Sequence, residues 1–402
     1  MSKKNDDFFV KKKTWSVVKD DLLGCYFRPY VSKILTTHRP LVYVDCFAGK
    51  GKFDDGNPGS PLIALDIIDE CCKITKMQST NIETIFIDLN YADDLKENLK
   101  GYPRAKIVSG SYEDNINNIL RGKGKCNIFL YIDPYGIKAL QCSLFDSLAN
   151  VGFNSIELLI NMNSFGFIRE ACRALGAAFD DKDFFEDLVE YDSTKLDSSE
   201  KSIIALNEIA GGDYWQSIIE DFKLKKISGL EAEVRFSEKY CSRLMESYTY
   251  VLNMPLRIKE GQQPKYRLIH ATNHRDGCLI MVDNICNRWE ALREVQTNGQ
   301  LTLFDEDFNN QIIYKDDIEE KIIEHFSKYS NLKSLHDALA EFFVKYGPIC
   351  STGNARDILK MLEKDRRIEV LRNPALTKTG KPSTFMIEDT NKKQTVSIRW
   401  LN

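Results

Sequence analysis

LVYVDCFAGKG, residues 41–51, is the stretch whose reading decides the fold. The apolar run 41–44 closes on an acid, Asp45, and the chain then reaches Gly49, Lys50 and Gly51. A short apolar run ended by glycines reads as a buried strand followed by a turn. Three templates compete for that turn. A phosphate-cradling loop requires GxxxxGK[ST]. Counted from Gly49, its second glycine falls on Asp54, so the template fails. The dinucleotide fingerprint GxGxxG fails at the same Asp54, where a glycine is needed for close helix packing. The third template is a strand, an acid at its end, an FxGxG turn and then a helix. There the carboxylate engages a cationic amino group, and the glycines let the backbone approach a ligand.

The chain around it alternates in the same way. TIFID (84–88), AKIVSG (105–110), NIFLYIDP (127–134) and IELLINM (156–162) are further apolar runs, and helical patterns at 60–74, 91–100, 115–120 and 143–150 separate them. Trp15, Val18, Leu22, Tyr26, Tyr30 and Ile34 recur at helical spacing and predict a helix over 14–37. Strands alternating with helices predict an α/β fold, a Rossmann-like parallel sheet covered on both faces. Residues 163–243 carry only helical pieces and read as a helical insertion, with Trp215 a candidate for a lid. SYTYVLNMPLR (247–257) and YRLIHATNH (266–274), joined through GQQPK, predict an antiparallel hairpin.

This first domain spans 1–295, and 296–311 reads as a linker. The remainder, 312–402, has helical patterns at 318–329, 334–346 and 353–367, then two short strands within 368–389 around a Pro/Gly/Lys loop. Three helices and a β-hairpin follow the winged helix-turn-helix plan. Residues 351–402 hold 11 Lys and Arg against 6 Asp and Glu, a formal +5. Arg356, Lys360 and Lys364 share one helical face, and Lys378 and Lys381 lie in the wing. These five are the candidate nucleic-acid contacts.

Composition sets limits. The net charge of −4 argues against a protein that coats nucleic acid indiscriminately. No apolar run approaches the roughly 20 residues that cross a bilayer, and the N-terminus lacks a secretory core. The 11 cysteines are scattered and form no CxxC pair, which points to reduced thiols in a cytoplasmic protein. Neither HExxH nor the zinc-deaminase signature is present, so no metal centre is expected.

Asp88 ends the second strand, where an acid holds a ribose diol through charge-assisted hydrogen bonds. Asp45, the two glycines and Asp88 together have the layout of an S-adenosylmethionine site. The donor set is Asp45, Phe47, Ala48, Gly49, Gly51, Asp88, Leu89, Gly110 and Ser111. The fourth strand ends in Asp133-Pro134-Tyr135-Gly136, at the carboxyl edge of a central strand where ligands bind. This resembles the Asp/Asn-Pro-Pro-Tyr motif of nucleobase amino-methyltransferases and the Asp-Pro-Phe-Gly of tRNA guanine-N2 methyltransferases. The resemblance implies that Asp133 and the Pro134 carbonyl accept hydrogen bonds from an exocyclic amine while Tyr135 stacks on a flipped-out base.

With these residues in place, the chain resembles the three-Cys-motif partner protein family, TcmP. The likeness is carried by residues 44–65, IFID (85–88), YIDPYG (131–136), LLINMNSF (158–165), YRLIHATNH (266–274) and QLTLFD (300–305). It implies a class I methyltransferase-like domain, a C-terminal winged helix and a three-cysteine partner resembling radical-SAM proteins. One departure is Ser111 after Gly110, where an Asp often binds the adenine amino group; Asp114 is a possible substitute. The expectation is an S-adenosylmethionine-dependent N-methyltransferase acting on DNA or RNA. The alternatives are a non-catalytic adaptor with a degenerate fold, and modification of a small molecule or protein.

Overall fold

The computed structural model of the chain describes residues 7–75, 81–178, 200–256, 266–297, 315–389 and 392–401. The chain divides into two compact units, Met1–Asn273 and His274–Asn402.

In the first unit, α1 (Asp7–Val10) and α2 (Thr14–Thr37) precede β1 (Leu41–Asp45). Then come α3 (Ser60–Thr75), β2 (Ile82–Asp88), α4 (Ala92–Asn98), β3 (Ala105–Ser109), α5 (Tyr112–Leu120) and β4 (Asn127–Ile132). Next are α6 (Cys142–Ala149), β5 (Ser155–Met162), α7 (Ser164–Ala174), α8 (Glu200–Ala210), α9 (Tyr214–Lys223) and α10 (Gly229–Leu244). The hairpin strands β6 (Tyr250–Leu256) and β7 (Tyr266–Thr272) close the unit. The GQQPK connection lies outside the described residues.

The seven strands form one sheet in the order β3-β2-β1-β4-β5-β7-β6. β1 pairs in parallel with both β2 and β4, and β7 runs antiparallel to β5 and β6. β1, β4 and β5 are buried along their whole length, as unbroken apolar runs require. Side chains alternate across the pleat. On one face Tyr43 and Phe129 meet Phe27 of α2, at 4.7 and 5.0 Å, Phe129 also meets Tyr30, and Phe86 lies against Tyr43 at 6.1 Å. Val42, Val44, Ile128 and Leu130 join the core on the other face, which also takes in the insertion helices. Phe167 and Phe236 stack there at 3.9 Å. Trp215 is fully buried in that core and its indole N–H donates to Asn207, so it is packing and no lid.

The second unit contains α11 (Arg275–Thr297), α12 (Lys315–Phe326), β8 (Lys333–Ser334), α13 (Leu335–Tyr346), α14 (Thr352–Lys364), β9 (Ile368–Asn373) and β10 (Thr395–Trp400). Its three strands are ordered β8-β10-β9. Two expectations change here. The boundary falls before α11, not at 296–311, because α11 is tied into this unit. Arg275 donates to Ser334, Asp337 and Glu388, His336 meets Asp276 at 3.0 Å, and Asp283 accepts from the Thr352 amide and hydroxyl. Most of the proposed linker lies outside the described residues. The second hairpin strand is 395–400, beyond the stretch 368–389 expected to hold both strands: Val396 and Ile398 alternate into the core, while Pro382 sits in an isolated bridge with Leu376.

All 11 cysteines are free. Among the described residues no helix is long and apolar enough to cross a membrane.

Candidate functional site

β1 and β4 are neighbours whose crossovers leave in opposite directions, so a crevice opens beyond their carboxyl ends. Asp45, Asp88 and Asp133 lie at or just past the ends of β1, β2 and β4.

Asp45 is fully buried. One carboxylate oxygen accepts the Ser60 hydroxyl at 2.7 Å and the other the Phe47 amide at 3.2 Å. Burial pushes its carboxyl from 3.8 up to about 7, against the pull of those two hydrogen bonds. The following loop is sewn to both neighbouring strands, Cys46 N–H to the Tyr131 carbonyl and Ala48 N–H to the Ile87 carbonyl, both at 2.9 Å. The Phe47 ring turns into the core against Tyr112 at 5.8 Å. Phe47 and Ala48 therefore shape the loop through its backbone.

Gly49 and Gly51 have φ of +60° and +75°, a region that suits glycine. A Cβ on Gly49 would meet the Phe9 ring at 2.9 Å, and one on Gly51 would meet Leu95 at 2.8 Å. Asp88 holds this turn shut: its carboxylate accepts the amides of Gly49 at 2.8 Å, Asn90 at 2.8 Å and Tyr91 at 2.7 Å. An ionised carboxylate has about four acceptor positions. One is left, which suits a single ribose hydroxyl rather than the expected pair. Leu89 beside it is 54% exposed, an apolar side chain available to a flat ring.

At the end of β3 the Gly110 amide bonds the Asp88 carbonyl at 3.1 Å. Ser111 caps α5: its hydroxyl accepts the Asp114 amide at 3.2 Å and donates to the Asp114 carboxylate at 2.6 Å. The Asp114 carboxylate accepts that one hydrogen bond at the helix start. Ser111 at this position is explained by capping.

Asp133 does not stand alone. Lys19 of α2 donates to both its oxygens, at 2.7 and 2.6 Å, and lies 4.8 Å from the Tyr266 ring. Pro134 is buried, and Tyr135 is 51% exposed with its ring edge-on to Phe8 at 5.5 Å. Phe8 and Phe9 lay an aromatic strap across the site. Phe9 contacts Tyr91 at 4.9 Å and Phe53 at 5.8 Å, its carbonyl accepts the Asp54 amide at 2.8 Å, and the Lys50 ammonium is 5.2 Å from its ring. Lys12 anchors the strap to Asp55, the Pro58 carbonyl and Asp20.

The nine donor candidates gather around one loop, and Asp133 and Tyr135 converge beside it. The sequence reading missed Lys19, Ser60, Phe8 and Phe9. Lys19 had a signal: Leu22, Tyr26 and Tyr30 follow it on one helical stripe, so a lysine sits on an apolar face. His270 of β7 is fully buried with Tyr26 and Glu157 and serves the core.

In the second unit, Lys360, Lys364, Lys378 and Lys381 are exposed and Arg356 is half-buried. Lys360 is paired with Asp357 at 2.8 Å. The Thr352 amide and hydroxyl at the start of α14 bond Asp283, and Thr352 is buried.

Strand order, the antiparallel β7 and the loop after β1 fit one class, the Rossmann-like methyltransferase fold. No protein-family model and no curated protein matches the chain. Solved structures similar to it include the candidate methyltransferase yhhF of Escherichia coli, 17% identical with a TM-score of 0.21, over 30% of this chain and 59% of that one. The CurJ carbon methyltransferase is 11% identical with a TM-score of 0.28, over 58% of this chain and 49% of that one. A Legionella pneumophila protein of the DUF519 family model is 12% identical with a TM-score of 0.36, over 70% and 94%. This chain spans less than two thirds of the first two structures. At these scores the fold rests on strand order and register.

Proposed function

We propose that the protein is an S-adenosylmethionine-dependent methyltransferase that modifies an exocyclic amine of a nucleobase in DNA or RNA. The observation that carries it is the convergence of Asp45, the Gly49–Gly51 turn, Asp88 and Asp133 at one crevice. Asp45 and Asp88 are the two acids of this crevice with no cationic partner among the bonds described above, which suits a cationic donor. Asp45 pairs with the donor's ammonium, Asp88 takes a ribose hydroxyl and Leu89 faces the adenine. When bound, S-adenosylmethionine supplies a methyl group on a sulfonium, already a good leaving group. Asp133 and the Pro134 carbonyl accept the N–H groups of the acceptor amine and aim its lone pair, while Tyr135 stacks on the base.

α12–α14 with β8–β10 read as a winged helix-turn-helix that engages the nucleic acid. The family resemblance adds a three-cysteine-motif, radical-SAM-like partner, and we propose that the two act together. Changing Lys364, Lys378 and Lys381 together to Glu is expected to weaken binding to mixed-sequence duplex DNA or RNA at least tenfold. The slope of log affinity against log salt should shrink by about 3, one per lysine. Equal slopes for variant and wild type would remove this face from the interface.

A second reading has specific support. Phe9 crowds Gly49, and Asp88 has three of its acceptor positions filled. Both suit an adaptor with a degenerate fold that recruits the partner to nucleic acid.

Calorimetric titration with S-adenosylmethionine separates the two readings: micromolar binding supports the enzyme, and no binding by the folded chain, alone or with the partner, supports the adaptor. The pH profile tests the site itself. Asp45 is largely protonated below about 7, and only its anion pairs with an ammonium. Affinity is therefore expected to rise with pH through about 7, by up to tenfold per unit on the acid side. A flat profile between pH 6 and 8 would take Asp45 out of the donor site.

A further inference from the structure

Helix α2 brings a cation to the acceptor side of the crevice, 114 residues away in sequence from the carboxylate it meets. Lys19 is 8% exposed, and its ammonium spans both oxygens of Asp133 at 2.6–2.7 Å. Tyr266 of β7 covers it from the far side. Lys12 pairs with the neighbouring Asp20 at 2.7 Å. A buried pair of this kind is a poor route to stability, since apolar residues of similar volume usually do as well. Its place at the end of β4 suggests another use.

We propose that Lys19 is a positioning residue that clamps Asp133 by both oxygens, so that the carboxylate presents one fixed edge to the acceptor amine. This rests on the methyltransferase reading. Two oxygens on one ammonium fix the rotation of the carboxylate about its Cβ–Cγ bond, which a single hydrogen bond leaves loose. The surroundings demand the cation as well. Asp133 faces Asp45 of β1, Asp20 of α2 and the Tyr131, Tyr135 and Tyr266 phenols; Lys19 is the cation that touches it. Burial works against the charged ammonium, yet Asp133, Tyr266 and Asp20 outweigh it, and the Lys19 pKa lies above its ordinary value. The clamp therefore stays charged throughout the neutral range. Without it, a half-buried carboxylate facing other carboxylates is pushed toward its protonated form, which offers an O–H where an acceptor is needed. Lys19 takes no proton from the substrate; it keeps Asp133 able to accept N–H.

The test compares Lys19→Met and Lys19→Arg with wild type in the full chain, together with its partner where that is needed. Donor affinity is read by calorimetry with S-adenosylmethionine. Transfer is read with a labelled methyl donor on a mixed pool of DNA and RNA oligonucleotides. Lys19→Met is expected to bind the donor within about threefold of wild type, to lose transfer at least 100-fold at neutral pH and to move the acid limb of the rate profile upward by about one unit or more. Lys19→Arg, which keeps a two-oxygen clamp, should recover most of the rate. Transfer by Lys19→Met within threefold of wild type, with the acid limb unmoved, would overturn the proposal. Loss of donor binding in the wild type would instead sink the methyltransferase reading. In that case carbon-13 NMR of labelled aspartate still decides the clamp. Titration of the Asp133 carboxyl moving to higher pH in Lys19→Met supports it, and an unchanged titration refutes it.

Discussion

Replacing Asp133 with alanine is expected to lower methyl transfer about 1,000-fold while leaving nucleic-acid binding intact. The magnitude is that of removing a group which both orients and polarises the acceptor. Among the described residues Asp133 accepts from one side chain, Lys19, and from no backbone amide, so its loss removes no tie from the polypeptide after β4. It does leave a buried ammonium without its partner. Breaking such a pair costs about 3–5 kcal/mol when both ions are fully buried, and less here because the Asp133 side chain is 23% exposed. Asp133→Asn keeps an acceptor oxygen and most of the volume, so it separates folding from chemistry. Labelled methyl transfer and thermal melting of the two variants give both numbers. If Asp133→Ala binds nucleic acid and supports the partner as wild type does, and no transfer is detectable in either protein, the adaptor reading stands.

Asp88→Ala is expected to abolish donor binding and to destabilise the first unit by about 3 kcal/mol. Three backbone amides, those of Gly49, Asn90 and Tyr91, lose their acceptor at once. Each unsatisfied donor costs about 1–3 kcal/mol where water does not reach it, and Asp88 is only half-buried, which sets the lower end. The turn then loses the tie that holds Gly49 at its positive φ. Asp88→Asn keeps a single acceptor oxygen and should fall between. Chemical unfolding measures the stability, and calorimetry with S-adenosylmethionine the affinity. A variant as stable as wild type would mean that the glycine turn holds its shape without Asp88. The same carboxylate builds the loop and, in the function we propose, takes the donor's ribose, so the two effects will not separate by substitution at Asp88 alone. Gly49→Val is the complement. It leaves Asp88 in place but drives a side chain into Phe9 at a φ that valine disfavours, so donor binding should fall through loop geometry.

Much of this architecture was legible in the chain. Strand periodicity placed β1 to β5 within two residues, because buried parallel strands are unbroken apolar runs and the glycines and acids after them are sharp boundaries. The strand-end acids and the Gly49–Gly51 turn were visible for the same reason: they are local. β10 was missed because its alternation, Val396 and Ile398 inward, is short and lies beyond a long loop. The role of α11 was missed because a helix written next to one unit packs by its side chains, Arg275, Asp276 and Asp283, into the other.

By itself, then, the sequence determined the alternating α/β class, the loop after β1, the acids at the strand ends and a separate C-terminal unit. These follow from period, composition and backbone restriction, which act over a few residues. Only the tertiary structure decided how those acids are used. Asp88 spends most of its capacity on the loop, Asp114 accepts the hydroxyl that caps its helix, and Asp133 takes Lys19 on both oxygens, while Phe9 covers Gly49. A carboxylate's spare lone pairs depend on which donors the fold carries to it, and those donors lie up to 114 residues away.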